Sequence, residues 1–173
     1  MMSWLQAIMP KVERFLDLFR RHAGREKTES ATTAEGAQQL QYGALPYRKS
    51  TGVEVLLVTS RETRRWVIPK GWPMKDLSAD QAAAREAFEE AGVTCMPADA
   101  PLGAFRYQKR LKTGDAVECE VLVFPMRVGK VHKDWPEKRE RKRRWFAAAE
   151  AAAAVDEEGL KAIILQFAQT EQR

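Results

Sequence analysis

Apolar positions recur along this chain at two periods, and the changes of period divide it. Trp4, Leu5, Ile8, Val12, Phe15, Leu16 and Phe19 fall at helical spacing, with Lys11, Arg14, Arg20 and Arg21 among the polar positions between them. This predicts an amphipathic helix over 1–22. Glu13 and Asp17 dilute its positive charge, so docking on its own domain or on a partner subunit, a homodimer included, is expected ahead of a membrane surface. Residues 23–39 are polar and rich in breakers and read as a linker, after which 40–173 form the domain proper.

Within that domain the short-period segments predict strands. Gln41–Arg48 and Val53–Ser60 are separated by a Ser-Thr-Gly turn, and Trp66–Ile68 is a third short strand. A helix is expected over about 78–91. Leu102–Leu111 and Ala116–Val128 alternate as a hairpin with Thr113-Gly114-Asp115 as its turn. Arg143–Phe146 predicts a last strand, before an Ala-rich helix from 147 and a segment carrying Leu160, Ile163, Ile164 and Phe167. Strands and helices mix without strict alternation, which implies an α+β fold with a mixed sheet and helices on its faces.

The predicted helix 78–91 carries the chemistry. Glu86, Glu89 and Glu90 lie at i, i+3 and i+4, on one side of a 3.6-residue turn. Glu86 and Glu90 are like charges one turn apart, which costs a helix roughly 0.2–0.5 kcal/mol if left bare. A divalent cation between them turns that cost into a site, and carboxylate oxygens suit Mg²⁺ or Mn²⁺. The ordinary alternative is a solvated helix face, with Ala84, Phe88 and Ala91 forming the core stripe and Gly92 the C-cap. The preceding segment, Trp66-Val67-Ile68-Pro69-Lys70-Gly71-Trp72-Pro73, shifts the balance. It runs a short strand into a Gly/Pro loop ahead of the acids, as metal-phosphate sites are commonly assembled.

From Gly71 to Val93 the chain resembles the Nudix box, G-x5-E-x7-R-E-U-x-E-E-x-G-U with U a bulky apolar residue. Gly71, Arg85, Glu86, Glu89, Glu90, Gly92 and Val93 fall on its register, whereas Leu77 replaces the first Glu and Ala87 the bulky residue. Asp76 or Asp80 could offer Arg85 the carboxylate that Leu77 lacks. The resemblance runs from about 41 to 168. It is most similar to the diphosphoinositol polyphosphate phosphohydrolase branch, on Trp135-Pro136-Glu137 and Arg143-Arg144-Trp145-Phe146, although diadenosine polyphosphate hydrolases share Pro69-Lys70-Gly71. Gln41 stands where animal members place a basic residue.

The resemblance implies an α/β/α sandwich and hydrolysis of a phosphoanhydride bond in one of those two substrate classes. It further implies that Glu86 and Glu90 ligate Mg²⁺ or Mn²⁺, helped by the carbonyl of Lys70 or Gly71. Glu89 is then a further ligand or, as favoured here, the general base, and Arg85 orients the acids.

The net charge of +5 is modest, but the cations cluster. Arg48, Arg61, Arg65 and Lys70 are candidate phosphate contacts, followed by Lys109, Arg110 and Arg143, all suited to a highly anionic small-molecule substrate. Trp72 and Tyr107 are candidate pocket or packing aromatics. The basic run over 138–144 raises RNA 5′ pyrophosphate cleavage as an alternative, though nucleic-acid recognition motifs are missing. A non-catalytic ligand-binding module is the second alternative. No apolar run approaches a membrane span, and Cys95 and Cys119 lack metal-ligand spacing, so free thiols in a cytoplasmic setting are expected.

Overall fold

The computed structural model describes residues 39–96, 100–110 and 114–172. The expected N-terminal helix, nearly all of the expected linker, and Thr113 of the expected hairpin turn lie outside the described residues. Eight strands and three helices are described: β1 (Gln39–Lys49), β2 (Val53–Thr59), β3 (Trp66–Val67), β4 (Lys70–Gly71), α1 (Ala79–Ala91), β5 (Val93–Met96), β6 (Gly103–Arg110), β7 (Ala116–Val131), β8 (Arg143–Ala147), α2 (Ala148–Ala154) and α3 (Glu158–Glu171).

The sheet is mixed, as expected. Its main path runs β3-β2-β1-β7-β5, with β4 added to β1, β6 to β7 and β8 to β2. β1 and β7 pair in parallel from Gln39↔Cys119 to Tyr47↔Arg127, and the other pairings are antiparallel. Alternation along β1 and β2 divides the buried residues between two faces. Leu45, Val55 and Leu57 join Phe105, Val121 and Phe146 in one cluster with Leu160, Ile164 and Phe167 of α3. Ala44, Leu56 and Val58 have the opposite parity and are equally buried. With helices on its faces, the sheet forms the α/β/α sandwich.

α1 approaches the sheet through small residues. Ala82, Ala83, Ala87 and Ala91 are all 0% exposed, so Ala87 sits where a larger side chain would have to displace its neighbours. The helix begins after Ser78, whose backbone N–H donates to Gln81 Oε1 at 3.1 Å. It ends at Gly92, whose φ of 61° is the left-handed conformation that glycine adopts without strain. β5 follows at once, and no strand was expected there.

Candidate active site

Four segments converge at the C-terminal half of α1. β4 brings the backbone of Lys70 and Gly71 against the helix, because its pairing with Tyr42 and Gly43 of β1 fixes the Pro-Lys-Gly loop. Gly71 is required by contact. A Cβ there would lie 2.0 Å from Glu86 Oε1 and 2.3 Å from its Cδ, so the Glu86 carboxylate occupies the space that any other residue would fill. Glu86 is 1% exposed and Glu90 6% exposed. Glu90 Oε2 accepts from the Lys70 backbone N–H at 3.3 Å, and its other oxygen pairs with the Arg141 guanidinium. Arg141 also donates to Glu137 Oε2 at 2.6 Å and to the Thr59 carbonyl at 3.0 Å.

Burial pushes the Glu90 carboxyl up to about 7. Arg141 opposes that shift, Glu86 adds to it, Lys70 opposes and Glu137 adds. Burial likewise pulls the Lys70 ammonium below its ordinary value, against the pull of Glu90 and Glu157. A cation placed beside Glu86 and Glu90 would relieve both carboxylates.

Arg85 Nε donates to Glu89 Oε1 at 2.6 Å, an i,i+4 ion pair along the helix. The carboxylate of Asp80, one of the two acids expected to serve Arg85, accepts instead from the Ser78 hydroxyl. Asp76, the other, has a φ of 66° in the loop before the helix.

Beside the acids opens a cavity of about 380 Å³. Arg61 and Arg65 reach it from the β2–β3 loop, Lys70 from β4, Lys109 and Arg110 from β6, and Arg141 from the loop before β8; Glu90 forms part of its wall. Five of the seven expected phosphate contacts, Arg61, Arg65, Lys70, Lys109 and Arg110, are thus brought together. Some are held by acids. Arg65 pairs with Glu157 at 2.9 Å and Asp156 at 3.2 Å, and Arg61 with Glu140 at 3.4 Å. Gln41, only 3% exposed, accepts from the Tyr107 hydroxyl at 2.7 Å on the cavity wall.

Arg48 and Arg143 are the two that do not join. Arg48 pairs with Glu54 at 2.7 Å across the β1–β2 hairpin and lies 4.3 Å from the Trp145 ring centroid. Arg143 turns to the end of α1, where it donates to the carbonyls of Ala91 at 2.6 Å, Gly92 at 3.1 Å and His132 at 2.8 Å. Its guanidinium is consumed by backbone acceptors. Arg141, which sequence reasoning left inside the basic run, takes the place at the cavity. No local feature of the run marks it out, because its partner Glu90 lies some fifty positions earlier.

The donors fit a hard divalent cation. Glu86, Glu90 and the Gly71 carbonyl would all offer oxygen, and glycine at 71 lets the Glu86 carboxylate reach the loop backbone. Among the described residues, no three His, Cys, Asp or Glu side chains are placed to enclose an ion by themselves. Mg²⁺ and Mn²⁺ ordinarily take one or two protein carboxylates and keep waters and substrate phosphates as the remaining ligands.

A NUDIX domain model matches residues 38–167. The chain belongs to the Nudix hydrolase family. Nudix hydrolase 12, mitochondrial, of Arabidopsis thaliana is 32% identical over 146 residues, covering 75% of this chain and 72% of that protein. Diphosphoinositol polyphosphate phosphohydrolase 3-alpha of Mus musculus is 34% identical over 110 residues, 62% of this chain and 63% of that one. Among solved structures, a C. elegans Ap4A hydrolase binary complex has a TM-score of 0.58 at 20% identity and covers 78% of this chain and 98% of its own. That likeness establishes the Nudix fold. Among the described residues, no helix is long and apolar enough to cross a membrane.

Proposed function

We propose that this Nudix hydrolase cleaves a phosphoanhydride bond in a small molecule crowded with phosphates, of the diphosphoinositol polyphosphate class. The observation that carries this reading is the cavity wall. Five cations, Arg61, Arg65, Lys70, Lys109 and Arg110, face one space beside two buried carboxylates. Two aromatic rings near that space each carry a lysine over one face. Lys70 Nζ sits 5.1 Å from the Tyr107 ring centroid, and Lys109 Nζ sits 4.3 Å from that of Trp72. Diadenosine polyphosphates need a stacking face for each base, so they are the second choice.

In this reading Glu86, Glu90 and the carbonyl of Gly71 or Lys70 hold Mg²⁺ or Mn²⁺. When bound, the ion supplies positive charge beside the phosphoryl oxygens of the scissile group. Arg61, Arg65, Lys70, Lys109 and Arg110 bind the remaining phosphates and set the anhydride in line. Glu89, steadied by Arg85, takes the proton from the attacking water. The RNA alternative loses support because Arg141 and Arg143, two cations of the 138–144 run, are engaged inside the domain. Cys95 and Cys119 are both free and buried, in keeping with a reducing compartment such as the cytoplasm.

The test is kinetic. With Mg²⁺ or Mn²⁺, Glu89→Gln and Glu90→Gln should each lose most of the turnover on a diphosphoinositol polyphosphate while the far-ultraviolet dichroism is retained. Full activity in both variants would overturn the assignment. Metal-dependent binding across a panel of phosphorylated compounds without any turnover would favour the non-catalytic module.

A further inference from the structure

Glu89 and Glu90 occupy the last turn of α1, where backbone carbonyls lack intrahelical partners and helices tend to fray. The helix supplies no basic residue to this turn. Residues 132–143 supply what it lacks. The Glu137 N–H donates to the Glu89 carbonyl at 3.1 Å, and the His132 N–H to the Gly92 carbonyl at 2.8 Å. Arg141 pairs with the Glu90 carboxylate, and Arg143 donates to the Ala91 and Gly92 carbonyls. Each residue from 89 to 92 is thereby engaged by a segment forty or more positions away.

Trp135 closes the arrangement. Its ring centroid lies 3.9 Å from the Arg143 guanidinium carbon. A Cβ on Gly92 would meet Trp135 Cδ2 at 2.6 Å and Arg143 Nη1 at 2.7 Å, so ring and guanidinium rest directly on the helix C-cap. The indole Nε1 is buried with no hydrogen-bond partner among the described residues, so the ring's contribution is its packed face. The positive charge of Arg143 at a helix C-terminus also interacts favourably with the helix dipole.

We propose that Trp135 and Arg143 form a clasp over the end of α1 that holds Glu89 and Glu90 in register with Gly71. Arg143 is therefore a positioning residue for the acids and makes no contact with substrate phosphate. The proposal rests on reading Glu90 as a metal ligand, and its test separates the two ideas.

The variants are Trp135→Leu, Arg143→Met and Arg143→Lys in the full chain. In metal-free protein, amide hydrogen exchange over 86–92 should accelerate in the first two while exchange in α3 is unchanged. Mn²⁺ affinity, read from the paramagnetic resonance of the free ion, should weaken by about tenfold, the usual size of a supporting-shell loss. Arg143→Lys should recover only part of it, because an ammonium restores the charge without the planar fork. Unchanged protection over 86–92 overturns the clasp. Accelerated exchange with Mn²⁺ affinity within about twofold of the parent overturns its role in placing the acids. Loss of affinity for inositol hexakisphosphate with Mn²⁺ binding intact would return Arg143 to phosphate contact and overturn the proposal as well. If the parent binds no Mn²⁺, the metal-ligand reading of Glu90 fails, and the exchange data alone still judge the clasp.

Discussion

At the scale of single residues, the site depends on what is missing at Gly71 as much as on the acids. The Glu86 carboxylate lies where a Cβ would be, so Gly71→Ala must move either the loop backbone or a buried charge. Turnover and Mn²⁺ affinity are both expected to fall by at least about tenfold, the range seen when supporting contacts of a metal site are lost. A Gly71→Ala protein with parental Mn²⁺ affinity would show that the close approach is dispensable. Ala87 makes a second residue-scale prediction. It stands where the Nudix pattern has a bulky apolar residue, yet it is completely buried under α1. Ala87→Leu should destabilise the fold by about 1–3 kcal/mol, seen as a lower thermal midpoint, because the packed interface has no room for it.

At the scale of elements, the 132–143 segment joins the end of β7 to β8 and carries a pH dependence. His132 hydrogen-bonds Thr94 through Nε2 at 2.7 Å and meets the Phe88 ring edge-on at 5.4 Å between centroids. Burial holds its pKa below the ordinary 6.5, with Lys130 and Arg143 adding to the effect. Between that folded value and 6.5, the unfolded chain binds more protons than the folded one, so stability rises with pH in that window. Its contribution is complete above 6.5 and is lost as pH falls through the folded value. Denaturant titrations of the parent and of His132→Asn should diverge as pH drops through this range, the variant being less sensitive. Parallel curves would remove His132 from the account.

These elements also show what could be read from the chain. α1 announced itself through the Arg85–Gly92 spacing, because its acids are neighbours within one helical turn. β5 did not. It spans only Val93–Met96 and starts directly after the Gly92 cap, with no turn residues to mark it. The roles of Arg141 and Arg143 were hidden for a different reason. Six cations crowd 138–144, and their partners Glu90, Ala91 and Gly92 lie some fifty positions earlier. Nothing local says which guanidinium turns to the cavity and which to a helix end.

At the scale of the whole molecule, the parallel pairing of β1 with β7 sets the site's dimensions. It aligns Gln39–Tyr47 with Cys119–Arg127, and so seats the cationic β6 strand and the β4 loop around one space. This long-range register was beyond the reach of periodicity, although the mixed α+β character was not. This space, beside Glu86 and Glu90, is proposed to serve a phosphate-crowded substrate without a nucleobase. The most direct measurement is the kcat/KM for anhydride cleavage, followed as phosphate from a diphosphoinositol polyphosphate and as nucleotide product from a diadenosine polyphosphate, with Mg²⁺, for the parent and Glu90→Gln. The predicted result is Mg²⁺-dependent turnover favouring the inositol compound by about tenfold or more, a margin expected when cationic contacts are left unfilled by the poorer substrate, and abolished in Glu90→Gln. Equal or reversed preference, or turnover that survives Glu90→Gln, would contradict it.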